Sequence, residues 1–342
     1  MSTIHDVAEM AGVSIKTVSR VLNDADSVSE KTRLRIEQAM QSLDFAPSAA
    51  AQMLRGRPTA LVAVIAEKLT TTPDSSEIIK GIQSVCEAQG KMLIIGETGG
   101  QAAIANRLVA DMRTRRVEAI IFATPFHREV MLKEMLGQTP VVLANCFESS
   151  RRFAQVVPDD EGGGYAAAQL VLQAGHRQIA FLQLIEDMVA TRLRMRGFRC
   201  AMEEHGVQPD EAWLVHGATP SADDEFRQLK ITIDRLFSGA DRPTAILCGN
   251  DKMAMRVIFI LQRRGLRVPE DVSVVGFDDF RLISEALDPG LTTVALPYRE
   301  IGELAARQAF GATQDAGVIR VPCHPVMRGT VAPPRSRKVG SR

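Results

Sequence analysis

Residues 3–22 read TIHDVAEMAGVSIKTVSRVL, a pattern that predicts two short helices joined by one tight turn. Gly12 follows the first helix, and glycine readily adopts the left-handed backbone that ends a helix. Ser14 can accept a hydrogen bond from the first free N–H groups of a new helix, so we expect the second helix to begin near Ile15. The apolar residues of the first helix recur at the spacing of one helical face: Ile4, Val7, Ala8 and Ala11.

The second helix has two different faces. Val18, Val21 and Leu22 form the face that we expect to be buried. Ala8 is small at the point where this helix must cross the first one, which suits a helix-turn-helix unit, with a plain helical hairpin as the alternative. The outward face is basic, polar and free of acidic residues: Ile15, Lys16, Ser19, Arg20 and Asn23.

A third helix and a short linker follow. Ser29 can cap the third helix, whose apolar positions mostly keep helical spacing, so a three-helix headpiece closes by about residue 45. Residues 47–58, PSAAAQMLRGRP, combine a helix start signal, an alanine-rich body and a glycine stop, which predicts about two turns of helix. So short a helix is marginal in water, and we expect it to order only against a partner; a flexible linker is the alternative in the free protein.

Length and charge limit the possible classes of protein. The chain has 342 residues, enough for about two or three domains, and its 45% hydrophobic and 24% charged residues are those of an ordinary globular protein. Net charge is zero overall, and residues 1–58 carry seven basic and seven acidic residues, so net charge gives no indication of nucleic acid. An expectation of DNA binding therefore depends on how the basic residues are grouped: Lys16 with Arg20, 31–35, and 55–57.

Several other chemistries find no support. The chain does not open with a basic stretch and an apolar run, and no run reaches ~18 apolar residues, so we expect a cytoplasmic protein without a membrane span. The five cysteines are odd in number and widely spread, and we expect them to be reduced. Metal-ligand spacings, nucleotide-binding motifs and hydrolase motifs are missing, so we predict no metal, no cofactor and no enzyme activity.

From Ala60 onward, apolar runs alternate with amphipathic helical patterns. This alternation predicts an α/β architecture in which parallel sheets are covered by helices on both faces. One sheet of about ten strands would be unusual, so we expect two lobes with a cleft between them. The predicted strands are Leu61–Ala66, Met92–Ile95, Ala119–Ala123, Val141–Ala144, Ile179–Leu184, Ala245–Cys248 and Val272–Val275.

Polar residues follow several of these strands, at the corners where open parallel sheets bind ligands. Carboxylates and amides accept hydrogen bonds from hydroxyls, and an arginine donates several, so this set suits a small polyhydroxy or polar ligand. Helix capping is the alternative role for each pair of adjacent polar residues at these corners, because Asp and Asn are common where a strand leads into a helix. The set is Asp159-Asp160, Asn250-Asp251, Asp278-Asp279, Arg192 and Arg194.

These stretches together resemble the LacI-type transcription repressors, the lactose and galactose repressor family, over residues 3–332. The resemblance implies an all-α helix-turn-helix headpiece and an α/β body with two lobes joined by three chain crossings, like that of periplasmic sugar-binding proteins. The headpiece and hinge match at 3–23, 28–33 and 47–55. The body matches at 174–180, 194–198, 250–254, 275–279 and 291–294.

For DNA, the resemblance implies a homodimer on a near-palindromic operator, with the second helix in the major groove and paired hinge helices in the minor groove. Ile15, Lys16 and Arg20 take the positions that read bases, and Leu54 takes the place of a leucine wedge. The DNA-contact candidates are Thr3, Ser14, Ile15, Lys16, Thr17, Ser19, Arg20, Asn23, Ser48, Ala51 and Leu54.

For the body, the resemblance implies a small metabolite, most simply a sugar or sugar derivative, bound between the lobes. Residues 66–73 depart from the family's pattern, so the contacts of the N-terminal lobe are not carried over. The candidates for a stacking aromatic are Phe126, Phe147 and Phe280. The effector-contact candidates are Asp159, Arg194, Asn250 and Asp278.

We therefore divide the chain into a headpiece (1–46), a hinge (47–58), an effector-binding and dimerisation domain (59–332) and a disordered basic tail (333–342). A periplasmic binding protein would share the body without the headpiece, and an enzyme on a doubly wound fold is the other rival. The expected N-lobe comprises 59–157 plus 292–320, and the expected C-lobe 158–291 plus 321–332.

Overall fold

The chain divides into two compact units, Met1–Ala60 and Leu61–Arg342, and each is described by itself. Asn23, residues 47–57 of the predicted hinge (47–58) and residues 336–342 of the predicted tail (333–342) lie outside the described residues. The computed structural model describes residues 2–22, 27–46, 58–68, 76–132, 138–217, 222–311 and 317–335.

Three helices form the N-terminal unit around one apolar core. The core side chains are small or β-branched, which lets short helices approach one another closely. The helices are α1 (Ile4–Ala11), α2 (Ile15–Leu22) and α3 (Glu30–Ser42). The buried core consists of Val7, Ala8, Ala11, Val18, Val21, Ile36 and Ala39.

The predicted turn and caps of this unit are confirmed. Gly12 has a left-handed backbone with φ of 60°, so a β-carbon at this position would strain the turn. The Thr17 N–H donates to Ser14 Oγ at 3.1 Å, and α2 begins at the next residue after Ser14. Ser29 caps α3 by accepting a hydrogen bond from the Thr32 N–H.

Both ends of α1 are tied by side chains. Thr3 and Asp6 form a reciprocal capping box, in which Thr3 Oγ1 accepts from the Asp6 N–H and Asp6 Oδ2 accepts from the Thr3 N–H. At the other end, Arg35 of α3 donates from Nη2 to the carbonyl of Ala11. This bond satisfies a carbonyl that the helix leaves unpaired and connects α3 to the turn.

The larger unit alternates strands and helices, as predicted. Its strands are β1 (Leu61–Ala66), β2 (Met92–Glu97), β3 (Ala119–Glu129), β4 (Val141–Phe147), β5 (Ala154–Pro158), β6 (Ile179–Gln183), β7 (Leu214–His216), β8 (Ala245–Cys248), β9 (Ser273–Val275), β10 (Thr293–Ala295), β11 (Val318–Val321) and β12 (His324–Val326). Its helices are α4 (Ser76–Ala88), α5 (Ala102–Thr114), α6 (Asp160–Gln173), α7 (Val189–Glu204), α8 (Ala222–Leu236), α9 (Asp251–Arg263), α10 (Arg281–Ser284) and α11 (Tyr298–Phe310).

Two parallel sheets define two lobes. The N-lobe sheet has the order β11-β5-β4-β3-β1-β2, and the C-lobe sheet has the order β7-β6-β8-β9. All the neighbouring strands within these two sheets run parallel, so the predicted α/β architecture of parallel sheets in two lobes is confirmed. A third, antiparallel pair joins β10 to β12. The chain therefore returns to the N-lobe through α11 and β11 after completing the C-lobe sheet.

Helices α10 and α11 and the short strands β7, β10, β11 and β12 were not among the predicted elements. Helix α11 packs on α4, and each helix has a glycine at the crossing. A β-carbon at Gly81 would overlap the carbonyl of Arg299, and one at Gly302 would overlap the carbonyl of Ile78. The buried residues of α11 are largely small, so its apolar face gives a weak hydrophobic signal in the sequence.

The described residues bear on three further sequence expectations: the state of the cysteines, the membrane span and the tail. The five cysteines are unpaired, as predicted, with Cys200 exposed and the others buried. None of the described helices combines the length and the hydrophobicity that crossing a lipid bilayer requires. Residues 333–335 of the predicted tail are described, and Arg335 Nη1 donates to Asp271 Oδ1 at 2.7 Å.

Candidate functional site

Helix α2 presents an exposed basic face. Ile15, Lys16 and Arg20 are exposed, Ser19 is half-buried, and no acidic residue lies in the helix. Lys16 and Arg20 are four residues apart and therefore lie one above the other on the helix surface. Within the described part of the chain, neither cation forms an ion pair. Both are available to donate to base edges or phosphates in a groove of DNA.

The other DNA-contact candidates divide into two groups. Thr3, Ser14 and Thr17 already serve the fold, because Thr3 caps α1 and the hydroxyls of Ser14 and Thr17 lie 2.8 Å apart at the start of α2. A hydroxyl in such a cap can still accept or donate a second hydrogen bond to a phosphate. The remaining candidates lie outside the described residues: Asn23, Ser48, Ala51 and Leu54.

A cavity of about 700 Å³ lies between the two lobes. It is lined by the ends of β3 and β4 on the N-lobe and by residues that follow β6, β8 and β9 on the C-lobe, where open parallel sheets bind ligands. Arg194, Asn250 and Asp278 line this cavity, so the structure brings three of the four effector-contact candidates together. The fourth, Asp159, caps α6 instead, where its Oδ1 accepts from the Gly162 N–H at 3.0 Å.

Arg194 reaches the cavity because α6 and α7 cross at a very short distance. A β-carbon at Gly164 would overlap the backbone of Arg194, and one at Gly197 would overlap the backbone of Glu161. The crossing brings Arg194 of α7 to Asp160, the first residue of α6, with Nε donating to Oδ1 at 2.7 Å. The pair is thus a product of helix packing between residues that are 34 positions apart.

The guanidinium of Arg194 is fixed in three further ways. Its Nη1 donates to the carbonyl of Gly249 at 2.7 Å. Its plane lies over the ring of Phe277, with Cζ 3.6 Å from the ring centroid. The side chain is almost fully buried, and Nη2 makes no hydrogen bond to another described residue. Nη2 is therefore the donor of this guanidinium that remains available to a ligand in the cavity.

Asp160 connects the two lobes. His127 of β3, in the N-lobe, lies with Nδ1 2.7 Å from Asp160 Oδ2. Burial alone raises the pKa of Asp160, but the charge of Arg194 and the hydrogen bond from His127 outweigh it and hold the pKa below its usual value. An ionised carboxylate only accepts hydrogen bonds, so Nδ1 of His127 must carry the proton. Burial opposes the charge of Arg194, but Asp160 and Asp278 raise its pKa, so the ion pair is fully formed.

Asn250 and Asp251 have different tasks. Asn250 Oδ1 caps α9 by accepting from the Met253 N–H at 2.8 Å, which leaves its amide NH₂ available to a ligand. Asp251 is fully buried and accepts from Thr293 Oγ1 at 2.6 Å and from the Phe280 N–H at 2.7 Å. Burial raises the pKa of Asp251 to about 7, because these two hydrogen bonds only partly offset the loss of water.

Asp278 lies on a strained turn. Asp278 and Asp279 have positive φ angles of 117° and 54°, which are rare for residues other than glycine. The bond from the Phe280 N–H to Asp251 holds the turn on one side, and Arg328 Nη2 holds it on the other by donating to Asp279 Oδ1 at 2.7 Å. Such strain persists only where neighbouring contacts impose it, and it is typical of binding sites.

Several cavity residues on the N-lobe were not identified as effector contacts from the sequence, and three of them bear on ligand binding. They are His127, Asn145 and Phe126, of which only Phe126 was named, as a stacking candidate. Asn145 is buried and donates from Nδ2 to the Thr124 carbonyl, and its Oδ1 accepts no hydrogen bond from a described residue. The rule that located Asn250 also applies here, because Asn145 directly follows the predicted strand Val141–Ala144.

Comparison with known proteins agrees with this arrangement. Residues 3–48 match the family model "Bacterial regulatory proteins, lacI family", and residues 156–331 match "Periplasmic binding protein-like domain". The sucrose operon repressor of Escherichia coli is 34% identical over 334 residues, which cover 96% of this chain and 99% of the repressor. The HTH-type transcriptional repressor PurR of Vibrio parahaemolyticus is 35% identical over 308 residues, covering 89% of this chain and 90% of PurR.

Solved structures give the same result. The lac repressor dimer bound to operator and the anti-inducer ONPF aligns with a TM-score of 0.80 and 27% identity, over 97% of this chain and 99% of that one. The complex of the transcriptional regulator CelR with cellobiose aligns with a TM-score of 0.66 and 28% identity, over 96% of this chain and 100% of the CelR chain. The chain belongs to the lacI family of bacterial regulatory proteins. It is a DNA-binding repressor of the kind that responds to a small molecule.

Proposed function

We propose that this repressor binds a near-palindromic operator as a homodimer and is controlled by a sugar or sugar derivative bound between its lobes. The observation that supports the proposal is the occurrence, in one chain, of an exposed acid-free helix and a polar inter-lobe cavity. The helix offers Lys16 and Arg20 to DNA. The cavity offers both donors and acceptors to a ligand.

The chemistry of the cavity suits a polyhydroxy ligand. Arg194 Nη2 and the Asn250 amide can donate, while the Asn145 amide oxygen and the Asp278 carboxylate can accept. A sugar hydroxyl both donates and accepts, so it can pair with either kind of group. The rest of the lining mixes charged and apolar residues and includes the exposed ring of Phe126, against which the C–H face of a sugar can pack.

Relatives support a sugar-type effector. The sucrose operon repressor is named for a sugar operon, and the CelR structure contains cellobiose. Both are similar to this chain over at least 96% of its length. We therefore place sugars first among the ligands to be tested.

A homodimer is supported by an apolar edge on the N-lobe. Strand β2 is the last strand of its sheet, and Met92 and Ile95 on it are 65% and 49% exposed. Exposed apolar residues on an unpaired edge strand favour association with another chain. Met92→Asp should therefore weaken the dimer, measured by sedimentation velocity, whereas the same change at the exposed Arg107 of α5 should not.

One experiment tests the DNA and effector parts together. The full-length protein would be used to select sites from a random duplex library, and the selected site would be measured by gel shift at fixed salt. Neutral sugars would then be added to the complex and, separately, to the protein alone in thermal-shift assays. A ligand at about 100 times its Kd stabilises the folded state by roughly 2.7 kcal/mol, so binding is readily detected. Selected sites without dyad symmetry would contradict the operator proposal.

A further inference from the structure

The buried pair Arg194–Asp160 sets the charge of the cavity. Four basic and three acidic side chains line the cavity, and Asp160, behind Arg194, brings the acids to four. Among the described residues, the site therefore carries no net positive charge, although three arginines and a lysine face it. An anionic ligand gains little from such a site, because the four positive charges are matched in number by four negative ones.

The neutralisation of Arg194 is local and strong. Its guanidinium and the Asp160 carboxylate are both buried, and their atoms lie 2.7 Å apart, where little water can screen them. Asp278 faces the same cavity and adds a second negative charge beside Arg194. Arg194 therefore acts toward a ligand as a directed hydrogen-bond donor through Nη2, because Asp160 and Asp278 compensate most of its positive charge.

Hydrogen-bond chemistry leads to the same result. A phosphate or carboxylate group only accepts hydrogen bonds, so it needs donors on every side. The buried Asn145 Oδ1 and the Asp278 carboxylate are acceptors. Neither could form a hydrogen bond with an anionic group, because both partners would be acceptors. A hydroxyl satisfies both groups.

We propose that Asp160 is a specificity-determining residue that makes this cavity select an uncharged, hydroxyl-bearing effector over its phosphorylated or carboxylated analogue. Asp160 does not touch the ligand and acts through Arg194. This inference rests on the proposed function in assuming that the cavity is the effector site. It goes further in naming the residue that excludes anions.

The test uses inorganic phosphate as an anion probe, titrated into the full-length protein at constant ionic strength and about pH 8. Wild type should show no saturable binding that depends on Arg194. Asp160→Asn removes the negative charge and keeps an acceptor for Arg194 Nε, so phosphate affinity should rise by about tenfold or more, the scale of one hydrogen bond to a freed charge. The double variant Asp160→Asn with Arg194→Gln should lose that gain.

A second arm compares glucose, fructose and sucrose with glucose 6-phosphate and fructose 6-phosphate by thermal shift. In wild type, a neutral sugar that binds should bind more tightly than its phosphate, and Asp160→Asn should reduce this preference. Asp160→Ser provides a second neutral variant if Asp160→Asn does not fold. Circular dichroism and thermal melts establish the folding of each variant before titration.

The outcomes separate this inference from the proposed function. Phosphate binding by wild type that is as tight as in Asp160→Asn and is lost in Arg194→Gln overturns the role of Asp160. A 6-phosphate that binds wild type through Arg194 more tightly than its parent sugar also overturns it. If no sugar binds wild type while phosphate gains affinity in Asp160→Asn, the role of Asp160 stands and the sugar-effector proposal fails.

Discussion

Helix α2 and the inter-lobe cavity place positive charge in opposite environments. On α2, Lys16 and Arg20 are exposed and form no ion pair within the described residues. In the cavity, Arg194 is buried, paired with Asp160 and stacked on Phe277. The attraction between an exposed cation and DNA extends over about a Debye length and is weakened by salt. A buried ion pair acts only over the distance of a hydrogen bond. Arginine is therefore exposed and available to a distant partner in one unit, and buried and fixed in direction by its neighbours in the other.

The largest expected effect comes from breaking the buried pair. Asp160→Ala leaves the charge of Arg194 buried without its partner, and we expect the free energy of unfolding to fall by about 3–5 kcal/mol. Urea denaturation at one protomer concentration measures the loss. Arg199→Ala on α7, the helix that carries Arg194, is the control, because Arg199 pairs with Glu211 at the surface and the loss of that pair should cost much less. Equal losses in the two variants would remove the contrast between buried and exposed pairs.

The pH dependence of stability tests the turn that carries Asp278. The folded-state pKa of Asp251 is raised to about 7, above its usual value, so the folded state binds this proton more tightly than the unfolded state. Stability from this group is therefore fully present below about pH 4 and is lost as pH rises toward 7, with a slope of at most about 1.4 kcal/mol per pH unit. Asp251→Asn should flatten the stability curve between these two pH values. An unchanged slope would mean that another group causes it.

Base reading by α2 is expected to have an intermediate effect. Arg20→Ala should weaken operator binding by about 1–3 kcal/mol and unrelated DNA by less, because guanine O6 and N7 accept two hydrogen bonds from an arginine. Gel shifts on both DNAs over a range of salt concentrations measure this difference. Lys31→Ala in α3 is the control for a headpiece cation outside α2. The same loss on both DNAs would assign Arg20 to phosphate contact.

The smallest expected effect distinguishes a cap from a DNA contact at Thr3. Thr3→Ala removes the hydroxyl that caps α1 and should lower headpiece stability by about 1 kcal/mol. Thr3→Ser keeps the hydroxyl and should keep both stability and operator affinity. If Thr3→Ala lowers operator affinity at a temperature where the headpiece remains fully folded, Thr3 also contacts DNA. Thermal melts and gel shifts of the two variants provide both measurements.

Local patterns alone predicted the headpiece and the architecture of the body. The spacing of Ile4, Val7 and Ala11, the glycine at 12 and the serine at 14 act within one or two helical turns, so their effect can be read along the chain. Alternating strands and helices likewise predicted parallel sheets. Helix α11 was missed because its buried face relies on small residues that fit against Gly81 of α4.

The chemistry of the cavity depended on the tertiary structure. Asp159 and Asp160 are adjacent and chemically identical, yet the first is a helix cap and the second holds Arg194 and His127. The sequence determined that acids and amides stand at the ends of strands, because that follows from local pattern. Which acid is buried, and therefore which charge it cancels, was decided by the close crossing of α6 and α7 and by the approach of the N-lobe. Burial changes the strength of a charge interaction many times over, and burial is a property of packing between distant parts of the chain.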